Sequence, residues 1–199
     1  MYNYNATRFF MSVPKIYRLS NNKNIMGIEV AFVGYSNSGK SSVINALTGK
    51  KKLTKVSKNP GCTRFINFFE VQLGVYLIDF PGYGYSNDNT IQKDYWNHVI
   101  YEYLKKISVK GLIVVIDIRR SIRSLDKKII EKALLMNIPI LVLLNKSDKI
   151  SKNTLCIMSK KIIKDCQSIF STDIQVEIFS AVKKYGIFIL HKILNNWLK

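Results

Sequence analysis

The sequence predicts an α/β fold in which a mostly parallel, six-stranded sheet is covered by helices on both faces. Short, almost continuously apolar segments such as Ile28–Val33 and Leu112–Asp117 alternate with longer segments of helical spacing. This alternation is typical of strands that are buried on both faces of a parallel sheet. A Gly- and Ser-rich turn, residues 34–39, also separates the first strand from the helix after it. Because open sheets of this kind bind ligands beyond the carboxyl ends of their strands, the residues that follow each strand are the candidate site.

The first half of the chain contributes three of the predicted strands. Residues 1–26 are polar and mixed without clear periodicity, and we interpret them as an N-terminal extension to a single domain over residues 27–199. Ile28–Val33 is apolar throughout, and a helix is predicted over Lys40–Leu47. The strands Arg64–Leu73 and Val75–Asp79 are neighbours, since Gly74 alone separates them and marks a tight turn.

The second half continues the alternation of helices and strands. Apolar residues at helical spacing predict helices at Thr90–Ile107, Leu125–Met136, Ser151–Cys166 and Tyr185–Trp197. Short apolar runs predict strands at Leu112–Asp117, Ile138–Leu144 and Ile174–Phe179.

Composition limits the classes of protein to which the chain can belong. Its 199 residues suit one compact domain, and 47% hydrophobic content is enough to form a core. Cys62, Cys156 and Cys166 are an odd number without CxxC spacing, which disfavours a disulfide scaffold or structural zinc site and fits a reducing compartment. The apolar runs are too short to span a bilayer, and the first residues lack a secretion signal. We therefore expect a cytoplasmic monomer without a membrane partner.

The charge of the chain is strongly positive. It carries 31 Lys and Arg against 13 Asp and Glu, a net charge of +18. Clustered cations gain affinity for nucleic acid by releasing counterions from its phosphates. The alternative is compositional drift in a chain rich in Lys, Asn and Ile, which leaves the shortage of acidic residues unexplained. We expect an RNA partner and no sequence-specific contact with DNA.

The turn after the first strand matches the pattern G-x-x-x-x-G-K-[ST] of a phosphate-binding loop. Residues 34–41, called the phosphate loop below, read Gly-Tyr-Ser-Asn-Ser-Gly-Lys-Ser between a predicted strand and a predicted helix. Glycines let the backbone curl so that its N–H groups converge, and the helix adds its positive end. Lys40 is placed to reach the β and γ phosphates, and Ser41 to offer a hydroxyl to Mg²⁺. A chance Gly/Ser loop is the alternative.

Three further motifs lie at the ends of strands. Asp79-Phe80-Pro81-Gly82 could hold Mg²⁺ through its carboxylate and a γ-phosphate through the Gly82 N–H, or could be an ordinary turn. Asn145-Lys146-Ser147-Asp148 could select guanine, since one carboxylate accepts two hydrogen bonds from that base, or could be a capped polar loop. Phe179-Ser180-Ala181 could offer backbone N–H groups to the guanine carbonyl.

Together these motifs resemble those of Ras-like, translation-factor-related P-loop GTPases, whose domains have three layers. The chain more closely resembles the EngB family of bacterial ribosome-biogenesis GTPases. The stretches that carry this resemblance are Gly34–Asn45, Pro60–Arg64, Ile66–Phe69 and, most specifically, Asp79–Tyr85. The resemblance covers nearly the whole chain and implies a role in assembling the large ribosomal subunit, with a linked requirement for normal cell division and septation.

The resemblance also implies a set of site residues. Thr63, in the first switch, is the expected second Mg²⁺ ligand beside Ser41 and Asp79, although a solvated loop threonine is the alternative. The expected contacts with GTP or GDP are Gly34, Tyr35, Ser36, Asn37, Ser38, Gly39, Lys40, Ser41, Ser42, Gly61, Cys62, Thr63, Arg64, Phe65, Asp79, Phe80, Pro81, Gly82, Asn145, Lys146, Ser147, Asp148, Phe179, Ser180 and Ala181. Three positions depart from the family pattern: Tyr35 replaces a usual Arg, Cys62 a basic residue and Asn145 a frequent Thr.

The expected activity is slow GTP hydrolysis. Tyr83 follows Gly82 where Ras-like enzymes have a water-orienting Gln, and a phenol lacks the amide for that task. The expected catalytic residues are Lys40, Asn37 and Thr63. Asn37 resembles the asparagine of cation-dependent GTPases that helps to hold K⁺, and a loop-stabilising side chain is an equally weighted alternative. The Tyr83-Gly84-Tyr85 segment is a candidate partner-binding segment, unless its rings pack inward.

Overall fold

The fold is described by a computed structural model that covers residues 1–13, 27–54, 65–84, 98–170 and 174–199. The strands are β1 (Arg8–Val13), β2 (Ile28–Val33), β3 (Ile66–Gln72), β4 (Val75–Asp79), β5 (Val109–Asp117), β6 (Ile140–Asn145) and β7 (Gln175–Ile178). The helices are α1 (Lys40–Leu47), α2 (residues 98–104), α3 (Ser124–Leu135), α4 (Lys152–Phe170) and α5 (Ile187–Trp197). No helix among these residues is both long enough and apolar enough to cross a membrane.

The strands form one sheet in the order β1-β3-β4-β2-β5-β6-β7. Strands β4, β2, β5, β6 and β7 are parallel, whereas β3 is antiparallel to both β1 and β4. The predicted α/β class with a mostly parallel sheet is therefore confirmed. The parallel strands all end at the same edge of the sheet, and this edge carries the phosphate loop and the other predicted motifs.

The predicted number of six strands is one too few. The seventh strand, β1, comes from the segment that was interpreted as an N-terminal extension, and it pairs antiparallel with β3 at the edge of the sheet. Of the six residues of β1 only Val13 is buried. An edge strand is held mainly by backbone hydrogen bonds, so its sequence lacks the buried apolar pattern by which the other strands were recognised.

Some boundaries also differ from the predicted ones. β5 begins at Val109 rather than Leu112, and Gly111 within it allows the ring of Trp197 to lie against the strand, where any Cβ would collide with that ring. α4 extends to Phe170 rather than Cys166. The predicted helix Thr90–Ile107 lies partly outside the described residues. Within its described part, residues 98–104 are helical.

The core has two halves, one on each face of the sheet. Successive β2 residues alternate between them, with Ala31 and Val33 on one face and Val30 and Phe32 on the other. Helices α2, α3 and α4 cover the first face, and α1 and α5 cover the second. The alternation explains why the strand sequences are apolar at every position.

The N-terminal residues are packed against the second face. Tyr4 is 3% exposed, its ring stacks on His191 with centroids 4.7 Å apart, and its hydroxyl lies 3.2 Å from Asn195 Oδ1. Lys50, just after α1, donates to the carbonyl of Thr7. This segment therefore joins the C-terminal helix to the end of the helix that follows the phosphate loop.

We predict that Tyr4→Ala lowers the free energy of unfolding by about 3 kcal/mol, because a buried aromatic ring is lost and a cavity remains. Phe9→Ala is the control, since Phe9 on β1 is 53% exposed, and it should cost less than about 1 kcal/mol. Urea denaturation of the two variants measures both values. Equal stability of Tyr4→Ala and wild type would show that the N-terminal segment does not dock as described.

Candidate functional site

The phosphate loop leaves the end of β2 and enters α1 without a gap. Gly39, at the N-cap of α1, has φ of 98°, a left-handed conformation that favours glycine. A Cβ at this position would also collide with the side-chain amide of Asn145. Backbone conformation and close packing both explain the glycine at this point of the motif.

Lys40 lies inside the loop rather than in solvent. Its side chain is buried, with 7% exposed, and Nζ donates to the carbonyl oxygen of Gly34 over 3.2 Å. Burial lowers the pKa of Lys40, whereas the nearby Asp79 and Asp126 carboxylates oppose that shift. A buried amine at the centre of a loop of backbone donors is suited to binding an anion that brings negative charge with it.

Asp79 and Ser41 form the second part of the site. The Ser41 hydroxyl lies 3.4 Å from Asp79 Oδ2, and Asp79 Oδ1 is buried with no hydrogen-bond partner in the part of the chain that the structure describes. Burial raises the pKa of Asp79 to about 6, with Lys40 and Ser41 opposing the shift. A buried carboxylate oxygen without a partner beside a hydroxyl suits Mg²⁺, which prefers hard oxygen ligands. These residues therefore fit the predicted metal.

Asn145 connects the phosphate loop to the loop after β7. Its Nδ2 donates to the Ser38 carbonyl over 3.0 Å, and its Oδ1 accepts from the backbone N–H of Ala181 over 3.3 Å. Lys146 crosses the same loop and donates to the carbonyl of Asn37 over 2.6 Å. These hydrogen bonds join residues from three separate motifs into one rigid unit.

Asp148 lies beside Ser180, as the two predicted base-recognition motifs require. The Ser180 hydroxyl donates to Asp148 Oδ1 over 2.6 Å. This hydrogen bond is the main cause that lowers the pKa of Asp148, so the side chain is a carboxylate at neutral pH. It retains further acceptor positions for a ligand.

Asp117 is a member of this network that the sequence interpretation missed. It is the last residue of β5. It accepts a bidentate hydrogen bond from Arg119, at 2.9 and 2.7 Å, and lies 3.0 Å from Lys146 Nζ. Burial by itself raises the pKa of Asp117, but the hydrogen bonds from Arg119 and Lys146 outweigh it and lower the pKa to about 2. The signal available in the sequence was the position of Asp117 at the end of a predicted strand. The positive charge of Arg119 is therefore partly neutralised within the site.

The Tyr83 side chain points inward and packs beside Tyr35 of the phosphate loop. Its hydroxyl donates to Asp126 Oδ1 over 2.6 Å, and only 3% of the residue is exposed. Asp126 Oδ2 also accepts from the backbone N–H of Arg123 at the start of α3. The Tyr83 ring meets Tyr35 edge-on at 4.8 Å, and the Arg123 guanidinium lies 3.2 Å from the centre of the Tyr35 ring. For Tyr83, the inward alternative is thus the one observed.

Part of the predicted site lies outside the described residues, namely Gly61, Cys62, Thr63, Arg64 and Tyr85. Phe65 is described, and it is 46% exposed immediately before β3. The structure brings together the phosphate loop, Asp79, Asn145, Lys146, Asp148 and Ser180.

Comparisons with known proteins agree with this arrangement. A family described as 50S ribosome-binding GTPase matches residues 29–146. The probable GTP-binding protein EngB of Blochmanniella pennsylvanica (strain BPEN) is 60% identical over 200 aligned positions, which cover 100% of both chains. The protein of the same name from Pectobacterium carotovorum subsp. carotovorum (strain PC1) is 45% identical, covering 98% of this chain and 92% of that one.

Solved structures show the same fold. The crystal structure of a probable GTP-binding protein engB aligns with a TM-score of 0.65 and 26% identity, over 85% of this chain and 98% of that chain. Era in complex with MgGDPNP and nucleotides 1506-1542 of 16S ribosomal RNA aligns with a TM-score of 0.67, over 87% of this chain and 58% of that chain. At 23% identity, the likeness to Era concerns the fold alone.

The raised pKa of Asp79 predicts how stability depends on pH when metal and nucleotide are absent. Its folded-state pKa of about 6 lies above the unfolded value of 3.8, so the folded state binds the proton more tightly. The unfolding free energy should therefore fall as pH rises from about 4 to 6, by about 3 kcal/mol from this group.

Asp79→Asn isolates that contribution. The stability difference between wild type and Asp79→Asn, measured by denaturant titration at several pH values, should change over this interval. A difference that stays constant from pH 4 to 7 would contradict the pKa shift.

Proposed function

The chain belongs to the EngB family of P-loop GTPases, and from this premise we propose that it is a GTP-switched factor in assembly of the large ribosomal subunit. As a member of that family it is a GTP-binding protein. The proposal adds slow, Mg²⁺-dependent hydrolysis of GTP, action on ribosomal RNA as a cytoplasmic monomer, and the link to cell division and septation that the resemblance implies.

The observation that carries the proposal is that residues at the ends of β4 and β6 both lie against the phosphate loop, which contains the buried amine of Lys40. Lys40 lies in the phosphate loop, close enough to Asp79 for that carboxylate to affect its pKa. Asn145 fastens the same loop to the segment around Ser180 and Asp148. A triphosphate in the loop would therefore have its base directed toward Asp148 by one connected scaffold.

For Mg²⁺, we propose that Ser41, Asp79 and Thr63 hold the ion directly or through water. When bound, Mg²⁺ neutralises charge on the phosphates and supplies electrostatic stabilisation to phosphoryl transfer. The support is the Asp79 Oδ1 atom, which is buried next to Ser41 and has no partner among the described residues. Lys40 adds a fixed positive charge, and the backbone donors of the loop orient the phosphates.

Slow hydrolysis is supported by the position of Tyr83. Its buried hydroxyl is bonded to Asp126, so this group is not free to orient an attacking water. The role of Asn37 has two candidates, namely holding K⁺ beside the phosphates and stabilising the loop. Equal hydrolysis rates in Na⁺ and K⁺ would exclude the first of them.

The switch would act through the residues next to the phosphates. With GTP bound, Thr63 and Gly82 would be ordered by Mg²⁺ and the γ-phosphate, and after hydrolysis both segments would relax. A partner that contacts these segments would then lose its binding site. The net charge of +18 supports an RNA partner, and the family description names 50S ribosome binding.

Guanine selection gives a direct test of the site. We predict that Asp148→Asn weakens GDP binding at least tenfold and improves binding of xanthosine diphosphate, because an amide donates to the xanthine carbonyl where a carboxylate accepts from the guanine amine. Titration with fluorescent nucleotides measures both affinities. Asp165→Asn on α4 makes the same change of side chain away from the site, and it should leave both affinities unchanged.

Binding to ribosomes tests the proposed partner. Co-sedimentation with purified large subunits should compare a GTP analogue, GDP and no nucleotide at several salt concentrations, with Lys40→Ala as the control. Binding that requires the GTP analogue and is lost in Lys40→Ala is the expected result. Equal binding in every nucleotide state, with steep loss at higher salt, would indicate nonspecific attraction of +18 charges to RNA. It would favour a GTPase or GDP/GTP sensor that serves another process.

A further inference from the structure

We propose that Tyr83 is a specificity-determining residue that makes the site favour a nucleoside diphosphate over a triphosphate. Its side chain would keep residues 80–84, called the closed segment below, against the phosphate loop. A γ-phosphate would have to displace this segment. This inference rests on the proposed function of the same site. It assigns to Tyr83 a role that differs from orienting water.

The closure begins as a continuation of the parallel pairing between β2 and β4. Beyond the ends of the strands, Phe80 N donates to Phe32 O over 3.1 Å and Ser36 N donates to Tyr83 O over 2.9 Å. Tyr35 and Tyr83 form an isolated parallel bridge. The phosphate loop and the segment after Asp79 are thus joined by backbone hydrogen bonds.

This closure uses groups that a triphosphate needs. The Ser36 N–H, a donor within the phosphate loop, is already occupied by the Tyr83 carbonyl oxygen. A Cβ on Gly82 would lie 2.7 Å from Ser36 Cα and 3.2 Å from Lys40 Nζ. Since the lysine of such loops reaches the β and γ phosphates, Gly82 stands on the side of Nζ where an outermost phosphoryl group must enter. The Tyr83 carbonyl oxygen, which accepts from Ser36 N, would also repel a phosphoryl group that approached this N–H.

The Tyr83 side chain holds the closed segment in place. Its hydroxyl donates to the buried Asp126 carboxylate over 2.6 Å, and hydrogen bonds to charged acceptors are the stronger ones. The other oxygen of Asp126 is fixed by the N–H of Arg123, so the acceptor belongs to the rigid start of α3. Tyr35 closes the cluster, packing edge-on against Tyr83 under the Arg123 guanidinium.

Gly84 fits the same arrangement. It has φ of 79°, and a Cβ there would collide with the ring of Tyr35. The backbone turns sharply immediately after Tyr83. The Tyr83–Asp126 hydrogen bond is therefore positioned to control the whole closed segment.

Population arithmetic gives the expected direction of the effect. A ligand that binds only the open arrangement has an apparent affinity reduced by the fraction of molecules that are open. Weakening the Tyr83–Asp126 hydrogen bond raises that fraction, so the GTP analogue should bind more tightly. A diphosphate, which leaves the segment closed, should bind as before.

The test measures dissociation constants of GDP and of a nonhydrolysable GTP analogue in Mg²⁺ for wild type, Tyr83→Phe, Asp126→Asn and the double variant. Tyr83→Phe should tighten binding of the analogue about tenfold and leave GDP within twofold. Asp126→Asn keeps an acceptor oxygen without its charge, so it should act in the same direction but less. The double variant should equal Tyr83→Phe, because both changes affect one hydrogen bond.

Tyr103→Phe is the matched control, since the Tyr103 hydroxyl is buried and has no hydrogen-bond partner among the residues that the structure describes. It should change neither affinity. An unchanged ratio of the two affinities in Tyr83→Phe, weaker binding of the analogue, or parallel loss of both nucleotides would each overturn the inference. Failure of wild type to bind either nucleotide would instead refute the proposed function.

Discussion

The site depends on the register of the parallel strands. Phe32 pairs with Asp79, and Asp117 with Asn145, so residues from distant parts of the chain leave the sheet at nearly the same level. Parallel pairing fixes this level through backbone hydrogen bonds that do not depend on side chains. The side chains after each strand then need only short local turns to meet. Asn145, which binds both Ser38 and Ala181, completes the connection that the register makes possible.

Burial of charge is the second condition of the site. Lys40 and Asp79 are both withdrawn from water, and they shift each other's pKa in the direction that favours their charged forms. Around Lys146, by contrast, the charges are paired and hydrogen-bonded, and Asp117 stays ionised. A charged group left without a partner inside a protein is costly. The phosphate-binding side of the site, around Lys40 and Asp79, therefore favours a charged ligand. On the base-binding side, around Lys146, the charged groups already have partners and form a rigid support.

Much of the fold and of the candidate site could be predicted from the sequence because the informative signals are local. Continuous apolar runs marked the buried strands, and fixed spacing marked the phosphate loop and the residues that follow β4 and β6. β1 was missed because an edge strand that buries only Val13 has little pattern to recognise. The hydrogen bond between Tyr83 and Asp126 joins residues 43 positions apart. Neither spacing nor periodicity carries such a contact, which exists only once the start of α3 lies beside the segment that follows β4.

The N-terminal packing has a consequence for how the chain matures during translation. Tyr4 precedes its hydroxyl partner, Asn195, by 191 positions. At 5 to 20 residues per second, the ribosome needs roughly 10 to 40 s to make that partner. During this interval Tyr4 lacks the His191 ring on which it stacks in the folded protein. The nascent polypeptide therefore exposes this aromatic side chain until α5 has left the exit tunnel, and only then can Tyr4 dock.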